Sequence, residues 1–365
     1  MSAEAFRAHY QALVAGSDRI ADARVLHLPA QVPPWTDTGI DVEAGEEITL
    51  LAAGRVVLSE ELDLWGGPRL YLWGRIGPRG SVFNPSRDTT TVRAEASGRL
   101  YLAIYSGEWA NRHGDLATPL EAYAALRGGI DVVAIRWRGA AASGLAALRA
   151  AAPGDALLAA EAARLAAPVA PPPGWDYLWI LGRADIFTRV RVDGRDAIAL
   201  RAANDVGILR RPVDLALAAD TTLRWSWRVS QLPADRAEDT LPTHDYLSVA
   251  LEFDDGTDLS WYWSAALPVG TAYACPLPTW NARETHLVVR SGSEGLGAWC
   301  SERRAVLADW RHAVGGAASP TRAVAVWLIA VSLFRHGVAQ AEFAGIELAG
   351  AGRRLCVDGS PQGVA

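Results

Sequence analysis

The strongest constraint on the fold is a seven-residue segment in which apolar and polar side chains strictly alternate. Residues 223–229 read Leu-Arg-Trp-Ser-Trp-Arg-Val. Because neighbouring residues of a β-strand point to opposite faces of a sheet, this pattern predicts a strand with one buried and one polar face. The same alternation over 246–253, followed by Asp-Asp-Gly-Thr at 254–257, predicts a hairpin that returns through 259–263.

Short strand patterns separated by turn residues occupy both halves of the chain. Evenly spaced short strands with glycine- and proline-containing turns are typical of β-sandwiches. The sequence therefore predicts an all-β protein with two antiparallel β-sandwich domains joined by a short helical, proline-rich linker. The remaining predicted strands are 48–52, 70–73, 89–92, 100–105, 132–137, 285–290, 298–304, 323–334 and 343–348.

Helical patterns are confined to a few short segments. Apolar residues at helical spacing predict a short amphipathic helix over residues 1–20, and a short helix is expected at 308–314. The Ala- and Leu-rich stretch 140–168 predicts two helices separated by Pro153-Gly154, and three prolines follow it at 171–173. The resulting division is an N-terminal helix (1–24), a first sandwich (25–139), a linker (140–174), a second sandwich (175–350) and a C-terminal tail (351–365).

Composition excludes several classes of chemistry. The 35 basic residues of the 365-residue chain are all arginines, so a Schiff-base lysine or a P-loop lysine is impossible. A net charge of -6 argues against nucleic acid as a partner. The 15 tryptophans are numerous. Most are expected to fill the two sandwiches, while Trp65, Trp109 and Trp280 lie near turns and are candidates for stacking on a ligand.

Cysteine usage and hydropathy favour a cytoplasmic location without a membrane span. The three cysteines are an odd number with wide spacing, which suits a reducing compartment, although a Cys275–Cys300 disulfide is an alternative. No apolar secretory core is found near the N-terminus, so a signal peptide is not expected. The longest apolar run, 323–334, is too short to cross a bilayer as a helix.

The first half resembles the small bacterial calcium-dependent galactose-binding lectins, which are compact β-sandwiches. This resemblance covers about 25–137 and rests on Trp35-Thr36-Asp37-Thr38-Gly39-Ile40, on Gly45 with the strand 48–54, on Trp65-Gly66-Gly67-Pro68, on Arg75-Ile76-Gly77, and on Gly98 with the strand 100–105. It implies a lectin-like domain that binds carbohydrate.

The loop that holds calcium and sugar in those lectins differs here. The corresponding segment, 106–115, lacks the two adjacent asparagines of the family and contains Arg112, so no ligand is carried over. Glu108, Asn111 and Asp115 offer the oxygen atoms that calcium prefers and remain candidate ligands. A solvated loop is the alternative, so no cofactor is required and calcium remains an option.

The second half resembles an uncharacterised bacterial β-sandwich family without an assigned activity. The residues that suggest it are 223–229, His244-Asp245-Tyr246, Phe253-Asp254-Asp255-Gly256, Trp280 and Glu284-Thr285-His286. The resemblance implies a jelly-roll-like shape and no functional role.

Alternation within the predicted strands also places polar side chains together on sheet faces. An exposed face that mixes arginines, tyrosines and carboxylates can bind a polyhydroxylated or anionic ligand, or it can be an ordinary solvated surface with paired charges. The candidate ligand-binding residues are Arg224, Arg228, Tyr246, Tyr262, Trp280, Arg290, Arg304 and, in the first half, Trp109.

Acid–base residues on the same faces suggest an alternative catalytic site. Histidine–carboxylate couples and paired carboxylates support general acid–base chemistry. No nucleophile elbow, HExxH helix or CxxC zinc spacing accompanies them. The candidate catalytic residues are His244, Asp245, Glu252, Glu284, His286 and Glu302.

Together these features predict a two-domain protein that binds a carbohydrate-like or other small polar ligand. The alternatives are a lyase, cyclase or hydrolase with its site on the polar face of the second sandwich or at the domain junction, and an interaction module without small-molecule chemistry. The sequence leaves the oligomeric state open.

Overall fold

The computed structural model describes residues 2–31, 35–85, 87–316 and 319–359. The chain divides into two units, Met1–Val169 and Ala170–Ala365. Antiparallel sheets dominate both units, which confirms the all-β architecture predicted from the sequence. Among the described residues, no helix combines the length and the apolar character needed to cross a membrane.

Among its described residues, the first unit contains two sheets and four α-helices. One sheet has the order β1-β8-β3-β4 with β6 also paired to β3, and the other has the order β2-β7-β5. Its elements are α1 (Ala3–Ala15), β1 (Ile20–Pro29), β2 (Thr36–Val42), β3 (Glu47–Ser59), β4 (Leu64–Gly66), α2 (Pro68–Tyr71), β5 (Leu72–Ile76), β6 (Thr89–Arg93), β7 (Gly98–Ile104), β8 (Arg127–Trp137), α3 (Ala141–Ala151) and α4 (Ala156–Ala166).

Two local predictions for this unit were wrong in detail. The strand expected at 70–73 begins only at Leu72, because Pro68 at the first helical position starts the short helix α2. The N-terminal helix ends at Ala15 rather than near residue 20, with Gly16 at its C-cap, and Ile20 already starts β1.

The two helices between the sandwiches pack as part of the first unit. The prediction of two helices around Pro153-Gly154 agrees with α3 and α4. Leu145 and Leu158 lie in the same apolar cluster as Phe6, Tyr10 and Val133. These helices therefore cover a face of the β1-β8-β3 sheet and do not serve only as a spacer.

The second unit is a sandwich of two larger sheets. One has the order β10-β11-β20-β13-β18 with β21 paired to β20, and the other has the order β16-β17-β15-β14-β19-β12-β9. Its elements are β9 (Asp176–Tyr177), β10 (Phe187–Val192), β11 (Arg195–Ala203), β12 (Val206–Ala216), β13 (Thr222–Gln231), β14 (Tyr246–Phe253), β15 (Asp258–Ser264), β16 (Ala272–Ala274), β17 (Glu284–Ser291), β18 (Trp299–Ala305), α5 (Val306–Ala313), β19 (Arg322–Val331), β20 (Val338–Gly350) and β21 (Arg353–Cys356).

The alternating residues of β13 and β14 behave as their pattern predicts. Trp225 and Trp227 from one sheet and Leu247 and Val249 from the other lie in one core cluster between the sheets. Trp261 packs at 6.2 Å from Trp225 between ring centroids. Burial of such large aromatic and aliphatic surfaces supplies most of the driving force for a sandwich.

The opposite, outer face of the seven-stranded sheet is also buried. Strands β15 and β17 pair in parallel, so the segment between them, 265–283, must cross from one end of the sheet to the other. Leu267, Leu277 and Trp280 of this segment pack on the outer face, together with Leu178 and Phe334 from other loops. A layer of loops therefore covers a sheet face that the sequence predicted to be open.

Candidate functional site

The covered face carries an unusual group of buried polar residues. Ser260 lies opposite His286, and Asp258 lies opposite Glu284, in the parallel pairing of β15 with β17. All four side chains are almost completely inaccessible to solvent. Asp258 and Glu284 carry like charges when both are ionised. Their burial therefore requires compensation by hydrogen bonds, protons or a cation.

Three further side chains converge at one end of this group. The ligand atoms of His244, Cys275 and His286 all lie within 4.8 Å of one another, and each residue has an exposed fraction of 0%. We call these three residues the histidine–cysteine centre. Cys275 Sγ lies 3.4 Å from His244 Nε2. At zinc bond lengths of about 2.1 and 2.3 Å and a tetrahedral angle, such atoms lie about 3.6 Å apart.

His244 is held with one nitrogen directed at the centre. It follows a short 3-10 turn at Leu241–Thr243, and its Nδ1–H donates to the Glu238 backbone carbonyl at 2.7 Å. This bond fixes the tautomer in which Nε2 carries the free lone pair. A histidine that binds a metal is usually oriented by such a bond from its other nitrogen.

His286 is enclosed by aromatic rings. Tyr273 stacks on it with 5.1 Å between ring centroids, while Tyr246 and His244 approach edge-on at 4.7 and 4.8 Å. Neither ring nitrogen of His286 has a hydrogen-bond partner among the described residues. A fully buried imidazole without any partner is costly, which points to a coordinated group at this position.

Glu284 lies beside His286 on the same face of β17. Its Oε1 accepts hydrogen bonds from the Tyr246 hydroxyl at 3.0 Å and from the Ser260 hydroxyl at 3.2 Å. The same oxygen is 3.6 Å from Nε2 of His286, which is within reach of an ion pair but beyond a hydrogen bond. Because burial keeps His286 neutral, this contact is not an ion pair.

Burial dominates the protonation of the site. It lowers the pKa of His244 to about 4, and together with the neighbouring His244 it lowers the pKa of His286. Both imidazoles are therefore neutral at pH 7, the form that binds metals. Burial, with help from Glu284, raises the pKa of the Cys275 thiol. A metal ion overrides this effect, since a coordinating thiol loses its proton outright.

Two more polar groups on this face lack partners. Both carboxylate oxygens of Asp258 and the hydroxyl of Ser248 are buried without a hydrogen-bond partner among the described residues. Burial, and secondarily the charge of Glu284, raises the pKa of Asp258. Burial likewise raises the pKa of Glu284.

The structure brings together three of the six predicted catalytic residues and separates the others. His244, Glu284 and His286 meet on the covered face, as described above. Asp245 points away and accepts the backbone amides of Phe334 and Arg335 at 2.8 and 2.6 Å. Its role there is to hold a loop.

The two remaining carboxylates are occupied by structural contacts. Glu252 accepts from Arg210 at 2.7 Å and from the indole of Trp327 at 3.1 Å. Glu302 belongs to the other sheet, where it accepts from the indole of Trp227 at 3.2 Å and pairs with Arg290. Glu252 and Glu302 therefore lie on different sheets and do not form a pair of carboxylates.

The aromatic residues proposed for ligand binding are mostly buried. Tyr246, Tyr262, Trp280 and Trp109 expose at most 6% of their surface, so the prediction of an open aromatic face was wrong for them. Tyr246 and Tyr262 do line the histidine–cysteine centre, with ring centroids 4.7 and 5.7 Å from that of His286.

Most of the arginines proposed for ligand binding are neutralised by carboxylates. Arg228 pairs with Glu342 at 3.1 Å. Arg304 binds Asp309 through two hydrogen bonds of 2.7 Å, and Arg290 pairs with Glu302.

Arg224 is exposed and has no ion-pair partner among the described residues. Of the four, only Arg224 presents its guanidinium to a ligand from solution.

Two adjoining depressions lie on the outer face of the six-stranded sheet, and Arg224 borders one of them. One, of about 540 Å³, is lined by Arg224, Arg303, Ser226, Ser301 and others, and the second, of about 430 Å³, is lined by Arg191, Arg195, Ser226 and Gly345 among others. Arginines, serines and glycines line them together with the carboxylates of Asp196, Glu302 and Glu347. We call this surface the arginine face.

The predicted calcium ligands are engaged with one another within their loop. Asn111 Nδ2 donates to the Asp115 carboxylate at 2.6 Å, and Asn111 Oδ1 accepts the amides of His113 and Asp115. The Glu108 backbone carbonyl accepts the hydroxyl of Tyr105. Calcium binding at Glu108, Asn111 and Asp115 stays a prediction.

Sequence reasoning missed the residue that completes the centre. Cys275 was considered only for a disulfide with Cys300, but all three cysteines are free, and Cys300 belongs to the other sheet. The alternation of β17 does place Glu284 and His286 on one face. The position of Cys275 above them depends on the crossing segment 265–283, for which the sequence has no periodic signal.

Comparisons with known proteins assign no function to this chain. Residues 174–347 match the family model described as "Protein of unknown function (DUF3047)". No curated protein matches the chain.

Among solved structures, one similar chain is titled "EclA N-terminal domain; PllA-like lectin". It is 21% identical, with 33% of this chain and 99% of that chain covered and a TM-score of 0.26. A second is a salicylate 1,2-dioxygenase from Pseudoaminobacter salicylatoxidans, 8% identical, covering 91% of this chain and 72% of that chain with a TM-score of 0.12. Such low TM-scores do not establish a shared fold.

Proposed function

We propose that the second unit binds a transition-metal ion at the histidine–cysteine centre. The observation that carries this proposal is the convergence of His244, Cys275 and His286 within 4.8 Å, where Nε2 of His244 is oriented toward the thiol. The fully buried imidazole of His286 has no hydrogen-bond partner among the described residues, which is costly, and a bound cation offsets that cost.

The donor types favour particular metals. Thiolate and imidazole ligands suit zinc, cobalt and copper, whereas calcium and magnesium prefer oxygen ligands. The proposed ion is therefore different from the calcium that the lectin resemblance of the first half implies. A free thiol at Cys275 fits the reducing cytoplasm that the sequence favours, and this location remains part of the proposal.

Zinc titration of the full-length chain tests the proposal. The apoprotein competes with a chromophoric chelator for Zn²⁺, and we expect one tight site per chain. Cys275→Ser replaces the strongest donor with a poor one and should abolish that site. Cys300→Ser is the matched control, since Cys300 lies on the other sheet, and it should bind Zn²⁺ as the unaltered chain does.

Two results would contradict the proposal. One is the absence of a tight zinc site in the unaltered, folded chain. The other is equal zinc affinity in the Cys275→Ser and Cys300→Ser variants, because the tight site would then not include Cys275.

A second candidate function concerns the arginine face. Its two depressions share Ser226 and Gly345, and one of them is bordered by Arg224 and Arg303, which have no ion-pair partner among the described residues. Guanidinium groups bind carboxylate and sulfate groups through paired hydrogen bonds. We propose an anionic saccharide as the ligand of this surface, which makes the predicted carbohydrate-like ligand more specific.

Calorimetric titration with uronic-acid and sulfated oligosaccharides tests this second function. The double variant Arg224→Ala/Arg303→Ala should lose binding, while Arg149→Ala on the exposed side of α3 should retain it. Absence of binding to the unaltered chain, or equal binding to the double variant, would reject the arginine face as the site.

A further inference from the structure

We infer that Glu284 is a fourth ligand, which makes the metal site a closed, four-coordinate centre for a zinc-type divalent ion. This inference rests on the proposed metal binding and adds the coordination number, the class of metal and the role of the ion. The ion would fasten the loops over the covered face to the sheet beneath them.

The position of Glu284 supports a direct role. Residues 284 and 286 are two apart in β17, so their side chains share one face of the sheet. Oε1 of Glu284 lies 3.6 Å from Nε2 of His286, close to the separation of about 3.4 Å that two ligands 2.1 Å from one tetrahedral ion would have. Tyr246 and Ser260 hold that oxygen in place.

The backbone connects Glu284 to the cysteine ligand as well. The amide of Cys275 donates to the carbonyl of Glu284 at 2.9 Å. The amide side chain of Asn281 donates to the carbonyl of Cys275 at 2.9 Å and closes the loop between them. This short segment therefore brings the thiol and the carboxylate to the same end of β17 without any contribution from the metal.

Burial distinguishes a closed site from a catalytic one. Catalytic zinc sites use three protein ligands and leave a position for water, whereas structural sites have four protein ligands. His244, Cys275 and His286 are fully buried, and Glu284 exposes only 2% of its surface. Bulk water does not reach the ion, and the carboxylate takes the position that water would occupy.

The fourth donor also separates zinc from copper. Copper sites with two histidines and one cysteine are typically trigonal, with a weak axial ligand that is most often methionine. The chain has a single methionine, at position 1. A carboxylate oxygen held by two hydroxyl groups suits the tetrahedral preference of Zn²⁺ and Co²⁺.

The ligands come from three separate segments. His244 precedes β14, Cys275 follows β16 in the crossing segment, and Glu284 and His286 belong to β17 itself. One ion would therefore bind two covering segments to β17, the neighbour of the edge strand β16. Its loss should loosen those segments first and leave the core between the two sheets intact.

Cobalt substitution tests the coordination number. Co²⁺ added to the apoprotein should give a thiolate-to-cobalt charge-transfer band together with the intense visible bands of four-coordinate cobalt. In Glu284→Gln, we expect the charge-transfer band to persist, the visible bands to weaken as water enters, and zinc affinity to fall at least about tenfold. Glu252→Gln is the matched control, because Glu252 binds Arg210 and Trp327 on the same sheet, and it should match the unaltered chain.

The possible outcomes distinguish a failure of metal binding from a failure of the role proposed for Glu284. If the unaltered chain gives no charge-transfer band, the proposed metal binding itself fails. If that band is present but Glu284→Gln retains the visible bands and the zinc affinity of the unaltered chain, only the role of Glu284 is rejected.

A second measurement does not depend on the folding of a variant. Zinc-edge X-ray absorption of the unaltered chain should fit one sulfur near about 2.3 Å and three nitrogen or oxygen neighbours near about 2.0–2.1 Å. A fit that requires five or six ligands would overturn the closed four-coordinate centre.

Discussion

Nε2 of His244 and Sγ of Cys275 lie 3.4 Å apart although 31 positions separate the two residues along the chain. Such a pair, from two different loops and fully buried, does not follow from the packing of a regular sheet. It brings two side chains of types that commonly bind metals close to a third, His286. The proposed metal site depends on that convergence.

Metal binding should raise the thermal stability of the second unit. Zn²⁺ at about 100 times its dissociation constant adds about 2.7 kcal/mol to the free energy of unfolding, which corresponds to about 5–10 °C in melting temperature. Calorimetry of the full chain should show this shift in one transition, and a chelator should reverse it. In Cys275→Ser, Zn²⁺ should leave the transition unchanged.

Glu302 should prove structural rather than catalytic. Its carboxylate accepts the buried indole N–H of Trp227 and pairs with Arg290. Glu302→Gln weakens both contacts and should lower the free energy of unfolding by about 1–3 kcal/mol. Denaturant unfolding measures the loss, and zinc affinity should stay at the value of the unaltered chain. A loss of zinc binding at full stability would contradict this assignment.

Asp309 should be one of the more important polar residues of the sandwich. Its carboxylate accepts the indole N–H of the fully buried Trp261 at 2.7 Å and two hydrogen bonds from Arg304. Asp309→Ala leaves both donors without their acceptor and should cost about 2–4 kcal/mol in chemical denaturation. Asp309→Asn keeps an acceptor for Trp261, so its loss should be clearly smaller.

The first unit should lose stability in acid through Asp155. Burial opposes ionisation of this carboxylate, but hydrogen bonds from the Leu158 amide, the Tyr10 hydroxyl and His9 outweigh it and hold its pKa below 3.8. A pKa lowered by folding stabilises the protein above pH 3.8, and this contribution disappears as the pH falls through the folded value.

The variant Asp155→Asn checks this pH dependence. The difference in unfolding free energy between the two proteins should be largest above pH 4 and should shrink below it. A difference that stays constant from pH 6 to pH 2 would show that Asp155 does not carry the acid sensitivity.

The sequence was sufficient to predict which side of each strand faces the core of the sandwich. It was insufficient to predict that loops cover the outer face of one sheet. The alternation in 223–229 and 246–253 identified the core side of both strands correctly. It also placed Tyr246 and Tyr262 on the opposite side of the sheet, which is where they lie. Periodicity identifies the two faces of a strand, but it does not reveal whether another layer covers the second face.

The same limit explains why the candidate site was only partly recognised. Glu284 and His286 were found because they share a strand face, and His244 because it adjoins an aspartate. Cys275 was not, since its approach to His244 depends on the parallel pairing of β15 with β17 and on the long crossing segment between them. Pairing between distant strands is a property of the whole fold and leaves no local pattern in the sequence.

An anomalous-diffraction map of zinc-loaded crystals is the most direct test of the central claim. If the histidine–cysteine centre binds zinc, the map should show one strong zinc peak within about 2.0–2.3 Å of Nε2 of His244, Sγ of Cys275 and a ring nitrogen of His286. A zinc peak bound elsewhere on the chain, with these three side chains left uncoordinated, would contradict it.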